Sequence, residues 1–154
     1  MEIIPLDKQA QHAEPLAALH AAEWGHLYAD WNAVTALAEF AVHQSAGQLP
    51  TTLIAVAGNT LLGSVSLIFD DLPGWEHLNP WLASFYVLPG YRRAGIGAQL
   101  LKAAEETLQA HGLSAAYLFT ESRAEYFAAH GWLTYAETSV VNLPATIMQR
   151  QLAP

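Results

Sequence analysis

The hydrophobic positions change period several times along the chain, and each change marks an element. Glu2 to Leu6 reads as a short first strand. From Lys8 to about Ala22, alanines, Leu16 and Leu19 recur at helical spacing, so a helix is expected there, ending near Trp24-Gly25. A second helix is expected over Trp31 to Ser45, with Val34, Leu37, Ala38 and Ala41 on one face and Gly47 and Pro50 closing it. Thr52 to Ala57 and Leu61 to Phe69 flank Gly58-Asn59-Thr60, the signature of a hairpin. After a polar loop from Asp70 to Pro80, Trp81 to Leu88 is rich in aromatic and β-branched residues and reads as a strand.

The clearest helix is Gly95 to His111. Ile96, Leu100, Leu101, Ala104 and Leu108 share one face, and Gly112 stops it. Ala115 to Phe119 reads as a strand, Ser122 to His130 as a short helix before Gly131, and Trp132 to Thr138 and Asn142 to Leu152 as the last two strands. The order β-α-α-β-β-β-α-β-α-β-β is that of an α+β, or mixed α/β, domain and not of a regular βαβ repeat. No repeat or linker divides the chain, so residues 1–154 are expected to form a single domain.

Composition narrows the function classes. With 53% hydrophobic and 13% charged residues, the chain is not a disordered one. The apolar stretches are strand-sized and the N-terminus lacks a secretory pattern, so no membrane partner and a cytoplasmic location are expected. There are no cysteines, which excludes disulfides, thiolate catalysis and cysteine metal sites. The seven histidines show no ligand spacing, so no metal is expected. A net charge of −8 argues against nucleic acid, whose binding rests on cations that neutralise phosphates. The distribution says more than the sum: no Lys or Arg lies between Lys8 and Arg92, and then Arg92, Arg93 and Lys102 fall close together.

That basic island sits where Trp81–Leu88 runs through Pro89-Gly90-Tyr91 into Arg92-Arg93-Ala94-Gly95-Ile96-Gly97-Ala98 and a helix begins. A helix start leaves amide N–H groups unpaired at the positive end of the macrodipole, and glycines let an anion approach them. A dinucleotide fingerprint would need Gly or Ala where Leu100 stands, and a nucleotide-binding loop would need Lys-Ser/Thr where Ala98-Gln99 stands. Taken alone, the glycines would also suit a tight strand-to-helix turn.

Val87 to Gly97 resembles motif A of the GNAT superfamily of N-acetyltransferases, with Arg92, Gly95 and Gly97 in register with its Arg/Gln-x-x-Gly-x-Gly/Ala core. Tyr126-Phe127-Ala128-Ala129-His130-Gly131-Trp132 resembles the family's motif B. The resemblance is strong from about Trp81 to Trp132 and topological elsewhere. It implies a twisted mixed sheet of about seven strands, splayed between the fourth and fifth and flanked by about four helices. It further implies acetyl-CoA as co-substrate, with its pyrophosphate on the amides from about Arg93 through Ala94, Gly95, Ile96 and Gly97 to Ala98, and with Arg92 and Arg93 adding charge at the rim. The pantetheine would lie along Phe85, Tyr86 and Val87 and against Phe127.

The resemblance also implies acetyl transfer to an amine. Many family members protonate the leaving thiolate with a tyrosine four residues before the motif B glycine, where this chain has Phe127. Tyr126 is the neighbouring candidate, although one helical step turns a side chain by about 100°. The attacking amine needs a base. Glu76 and His77 are the candidates for it, and Glu23, Trp24, Asp70 and Asp71 for binding the acceptor. The acidic stretch before Arg92 suggests a cationic small molecule or peptide amine as acceptor. Without a cysteine, a ping-pong route through an acyl-cysteine is excluded and direct attack is expected. An acyl-CoA sensor without turnover is the alternative that Phe127 raises. A homodimer is compatible with either reading.

Overall fold

The strand segments join into one seven-stranded sheet in the computed structural model, which describes residues 1–26, 32–42 and 48–153. The strands are β1 (Glu2–Pro5), β2 (Thr51–Ala57), β3 (Thr60–Ile68), β4 (Trp81–Val87), β5 (Ala115–Thr120), β6 (Leu133–Val140) and β7 (Leu143–Gln151). Their spatial order is β1-β2-β3-β4-β5-β7-β6, antiparallel except for the parallel β4–β5 contact at its centre. The helices are α1 (Ala13–Trp24), α2 (Ala33–Val42), α3 (Ile96–Ala110) and α4 (Ala124–Ala129). The expected mixed architecture, with its splay between β4 and β5, is present. Among the described residues no helix is long and apolar enough to cross a membrane.

Both faces of the sheet are covered, and β2 shows how. Leu53 and Ala55 join the cluster beneath α3, whereas Ile54 and Val56 join the one beneath α1 and α2. A strand buried on both faces reads as a continuous apolar run, as Leu53 to Val56 does. The buried face of α3 consists of Ile96, Leu100, Leu101, Ala104 and Leu108, as the periodicity predicts.

Two helices depart from expectation. The first α-helix begins only at Ala13, and Leu6–His12 forms a 3-10 segment with a break at Gln9 (φ −138°, ψ 67°). Pro15 is the reason: it fits the first turn of a helix, but a helix from Lys8 would put it in the interior, without an N–H and against a carbonyl. The second helix buries Ala36 and Phe40 and leaves Val34 76% exposed, so its inward face is turned away from the predicted one. Asn32 starts this helix, its Oδ1 accepting the N–H groups of Val34 and Thr35 at 2.9 and 3.0 Å. The expected ends at Trp31 and Ser45 lie outside the described residues.

Two turns set the hairpins. Gly58 (φ 61°) lies in the two-residue connection between the paired Ala57 and Thr60. Val141 and Asn142 are both left-handed (φ 50° and 64°) between the paired Val140 and Leu143, the geometry that matches the strand twist in a tight hairpin.

Candidate active site

The site begins where β4 parts from β5. Their registered pairing is a single pair, Trp81 with Tyr117, helped by the Tyr117 N–H donating to Pro80 O at 3.0 Å. Trp81 is wholly buried and its Nε1 donates to Leu78 O at 2.6 Å, which anchors the joined end. Beyond it the strands separate around a cleft of about 1020 Å³. On its other side β4 is irregular: Ser64 pairs with Tyr86 and Ser66 with Ala83, so Ser84 and Phe85 together face Val65 alone. Ser84 takes a left-handed conformation (φ 51°) at this bulge. A bulge bends its strand and leaves a residue out of the ladder, and here it lies on the cleft wall.

One end of the cleft is built from main chain. After the short 3-10 turn Pro89–Tyr91, Arg93 (φ 66°) and Gly95 (φ 81°) are left-handed and curl the chain into α3. The first α-helical bond runs from Gln99 N–H to Gly95 O at 3.2 Å. The amides of Ile96, Gly97 and Ala98 therefore precede the ladder, and no acidic side chain lies in the first turn to occupy them. These three residues border the cleft, with Arg92, Arg93 and Gly95 at its rim. Ala94 is exposed and does not line it.

At Gly97 two rings come close to the backbone. A Cβ there would come 2.6 Å from Tyr126 Oη and 3.1 Å from Phe85 Cζ. Arg92 folds back, its Nε donating to Val87 O at 2.7 Å and its guanidinium lying 5.5 Å from the centre of the Tyr86 ring. It ties the end of β4 to the turn.

The two aromatic residues of α4 separate as the helical step requires. Phe127 is buried, edge-on to Phe85 at 5.6 Å and to Trp132 at 6.4 Å. Tyr126 points to the cleft, beside Phe85 and 4.8 Å from the His130 ring centre. Partial burial raises its phenol above the usual range, against the opposing pull of Arg123. Tyr126, and not Phe127, thus brings a hydroxyl to this part of the cleft.

The other end is acidic. Glu23 and Trp24 from the end of α1, Glu39 from α2, Asp71 from the loop before β4 and Glu121 after β5 all line the cleft. Burial pushes the Asp71 carboxyl up to about 7, and the Glu39 and Glu121 carboxylates push it the same way. Asp71 keeps a solvent-accessible edge, so the protein packed around it and not complete enclosure is what disfavours its charge. Burial also raises the Glu39 carboxyl.

The sequence-predicted residues divide accordingly. Glu23, Trp24 and Asp71 come together with the cofactor-end residues in one cleft, while Asp70 is exposed outside its lining. Glu76 and His77 also lie outside it. The Glu76 carboxylate accepts the Gly74 N–H at 3.0 Å, which holds it below the usual range, and His77 stacks on Trp75 at 5.8 Å. The loop folds on itself there and turns both away. Glu39 and Glu121 were not among the predicted site residues, because nothing local in the sequence marks either as facing Asp71. Among the described residues no group of three or more His, Asp or Glu is placed to hold a metal.

No curated protein sequence matches the chain. Solved structures do. An aminoglycoside 6'-N-acetyltransferase complexed with coenzyme A is 18% identical, with a TM-score of 0.79 over 100% of this chain and 98% of that one. The aminoglycoside 6'-N-acetyltransferase from Enterococcus faecium is also 18% identical, with a TM-score of 0.76 and the same coverage, 100% and 98%. The yncA protein from Salmonella typhimurium, solved with its cofactor acetyl-CoA, is 20% identical, with a TM-score of 0.77 over 100% and 95% of the two chains. Identities this low establish the fold. The model of the Acetyltransferase (GNAT) family matches residues 16–133, well over half of the chain, and on that match the chain belongs to the GNAT acetyltransferase family.

Proposed function

We propose that the protein moves an acetyl group from acetyl-CoA to the primary amine of a small cationic molecule or peptide by direct attack. The observation that carries this reading is one continuous cleft with unlike ends. Amides at the start of α3 suit a diphosphate, and carboxylates from four separate segments suit an ammonium group. Solved structures of the same fold hold coenzyme A or acetyl-CoA, which supports the cofactor, and two are aminoglycoside 6'-N-acetyltransferases, which supports an amino group as acceptor.

Bound acetyl-CoA would supply a thioester carbonyl, onto which the amine forms a C–N bond as the C–S bond breaks and CoA leaves. The chain's own task is to orient the partners and to pass on the two protons that an ammonium nitrogen loses on becoming an amide, one to a base and one that replaces the proton given to the leaving sulfur. Asp71 is assigned as the base in place of Glu76 or His77, because it alone of the three lines the cleft. A carboxyl near 7 is partly ionised at neutral pH yet basic enough to take a proton from an ammonium. Tyr126 is assigned as the donor to the leaving sulfur, and Glu23, Trp24, Glu39 and Glu121 as the acceptor wall. Phe85, Val87, Gly95, Gly97 and Ala98 line the proposed path of the cofactor.

Calorimetric titration with acetyl-CoA, followed by CoA-thiol release with polyamines, aminoglycosides, amino acids, peptides and neutral amines, tests the reading. Turnover confined to cationic acceptors is expected. Tight binding with no release across the panel would instead favour the acyl-CoA sensor, which Phe127 at the usual tyrosine position would then explain.

A further inference from the structure

A buried polar chain runs beneath the β4 bulge, and the proposed proton transfers do not use it. His20, in the last turns of α1, is fully buried, with its Nε2 2.9 Å from Ser64 Oγ on β3. Ser64, also fully buried, donates from Oγ to the carbonyl of Ser84 at 3.2 Å. Ser84 is the left-handed residue of the bulge.

The proton count fixes the direction of the chain. A serine hydroxyl has one hydrogen, and this one goes to Ser84 O, so the Ser64 oxygen must accept from His20 Nε2–H. The imidazole is then the Nε2–H tautomer, with a lone pair on Nδ1. Nδ1 is buried without a partner. Leaving a lone pair unmet is the less costly alternative, since the other tautomer would bury an unpaired N–H. Burial lowers the His20 pKa to about 3, so the ring stays neutral at ordinary pH. Its edges are wedged among Trp24, Phe40 and Tyr86 at ring distances of 5.1, 5.4 and 6.0 Å. Such packing leaves the ring little freedom to turn away from Ser64.

We infer that His20 and Ser64 are positioning residues that hold the Ser84 carbonyl, and through it the β4 bulge, in the shape that opens the cleft. A non-glycine residue in the left-handed region persists only where its surroundings over-determine it. The ladder cannot hold Ser84, because the bulge removes it from register with β3. The Ser64 hydroxyl supplies the missing hold from the side. Without it, Ser84 would relax towards extended backbone and the main chain at Phe85 would shift along the wall where the proposed path would place the thioester. The diphosphate grip at α3 would remain in place.

The effect on turnover rests on the acetyl-transfer reading; the effect on the backbone does not. Two measurements keep them apart. Amide hydrogen exchange of the free protein is read over residues 83–87 and over α3 in wild type, Ser64→Ala, His20→Leu and His20→Gln. Acetyl-CoA Kd and kcat are then measured on the same four proteins. Gln offers a side-chain N–H near the reach of Nε2, and Leu offers none. Ser64→Ala and His20→Leu should speed exchange over 83–87 without changing α3. They should lower kcat on the order of tenfold while leaving Kd within about twofold, and His20→Gln should recover much of the loss. Wild-type exchange over 83–87 in Ser64→Ala would overturn the inference. So would an equal loss of Tm and kcat in His20→Gln and His20→Leu, which would reduce His20 to filling. If wild type releases no CoA with any amine, the acetyl-transfer reading falls and the exchange data alone decide the role of His20.

Discussion

The two ends of the cleft are made by different means. At one end, a single stretch from Tyr91 to Ala98 provides backbone amides, left-handed turns at Arg93 and Gly95, and a glycine where Tyr126 comes near. At the other, Glu23, Glu39, Asp71 and Glu121 arrive from four segments spread over about 100 residues of chain. Recognition by main chain is local and tolerates few residues at the glycine positions. Recognition by side chains is distributed and depends on how the segments pack. The first is written in one segment, and the second exists only in the folded chain.

Substitutions can break this contrast, beginning with the largest effect. Gly97→Trp should abolish measurable acetyl-CoA binding, a loss on the order of a hundredfold or more, with the circular dichroism spectrum unchanged. A Kd near that of wild type would show that the main-chain end is not where the diphosphate goes. Asp71→Asn should lower kcat by about 10²–10³ and leave the cofactor Kd alone, because it touches only the side-chain end.

In the proposed role of base, Asp71 also gives activity and stability a pH dependence. In wild type, kcat/KM should rise with pH through about 7 as the base ionises. For stability the sign is reversed. A carboxyl whose folded pKa lies above its unfolded value near 3.8 destabilises the fold increasingly above that value and most fully above 7. Asp71→Asn should therefore raise Tm more at pH 8 than at pH 5, as thermal melts would show.

Arg92→Ala comes next. It removes the bond from Nε to Val87 O at an exposed site and should weaken acetyl-CoA binding only about two- to tenfold by titration. The smallest change belongs to Glu76→Ala. With its carboxylate folded onto Gly74 outside the cleft, kcat/KM should stay within about twofold of wild type. A large loss there would return Glu76 to the base role.

The same contrast explains what could be read from the sequence. The inward face of α3 and the glycine turn before it were legible, because period and anion-binding geometry are both properties of one continuous segment. The face of α2 was not: in a stretch rich in alanine, Val34 and Phe40 compete for the core, and only the sheet beneath decides that Phe40 enters. The start of α1 was legible in principle from Pro15, but the apolar period across it suggested a longer helix. His20 looks like an ordinary helix residue until β3 brings Ser64 beneath it, 44 positions further on. Asp71 is one of several loop acids in the sequence, and its raised pKa comes only from the folded chain, first from burial and then from the facing Glu39 and Glu121.

The single registered pair between β4 and β5 has one further consequence. A sheet usually has two edges, at its outer strands, and unpaired edges invite other chains to add on. Parting in the middle creates two more, on facing sides of a slot bordered by the start of α3 and by Tyr126. Such inner rims are sheltered from a neighbouring protein's sheet yet open to a slender, flexible molecule. The fold thus turns a hazard of β architecture into a selective entrance, admitting a thread and refusing a ribbon.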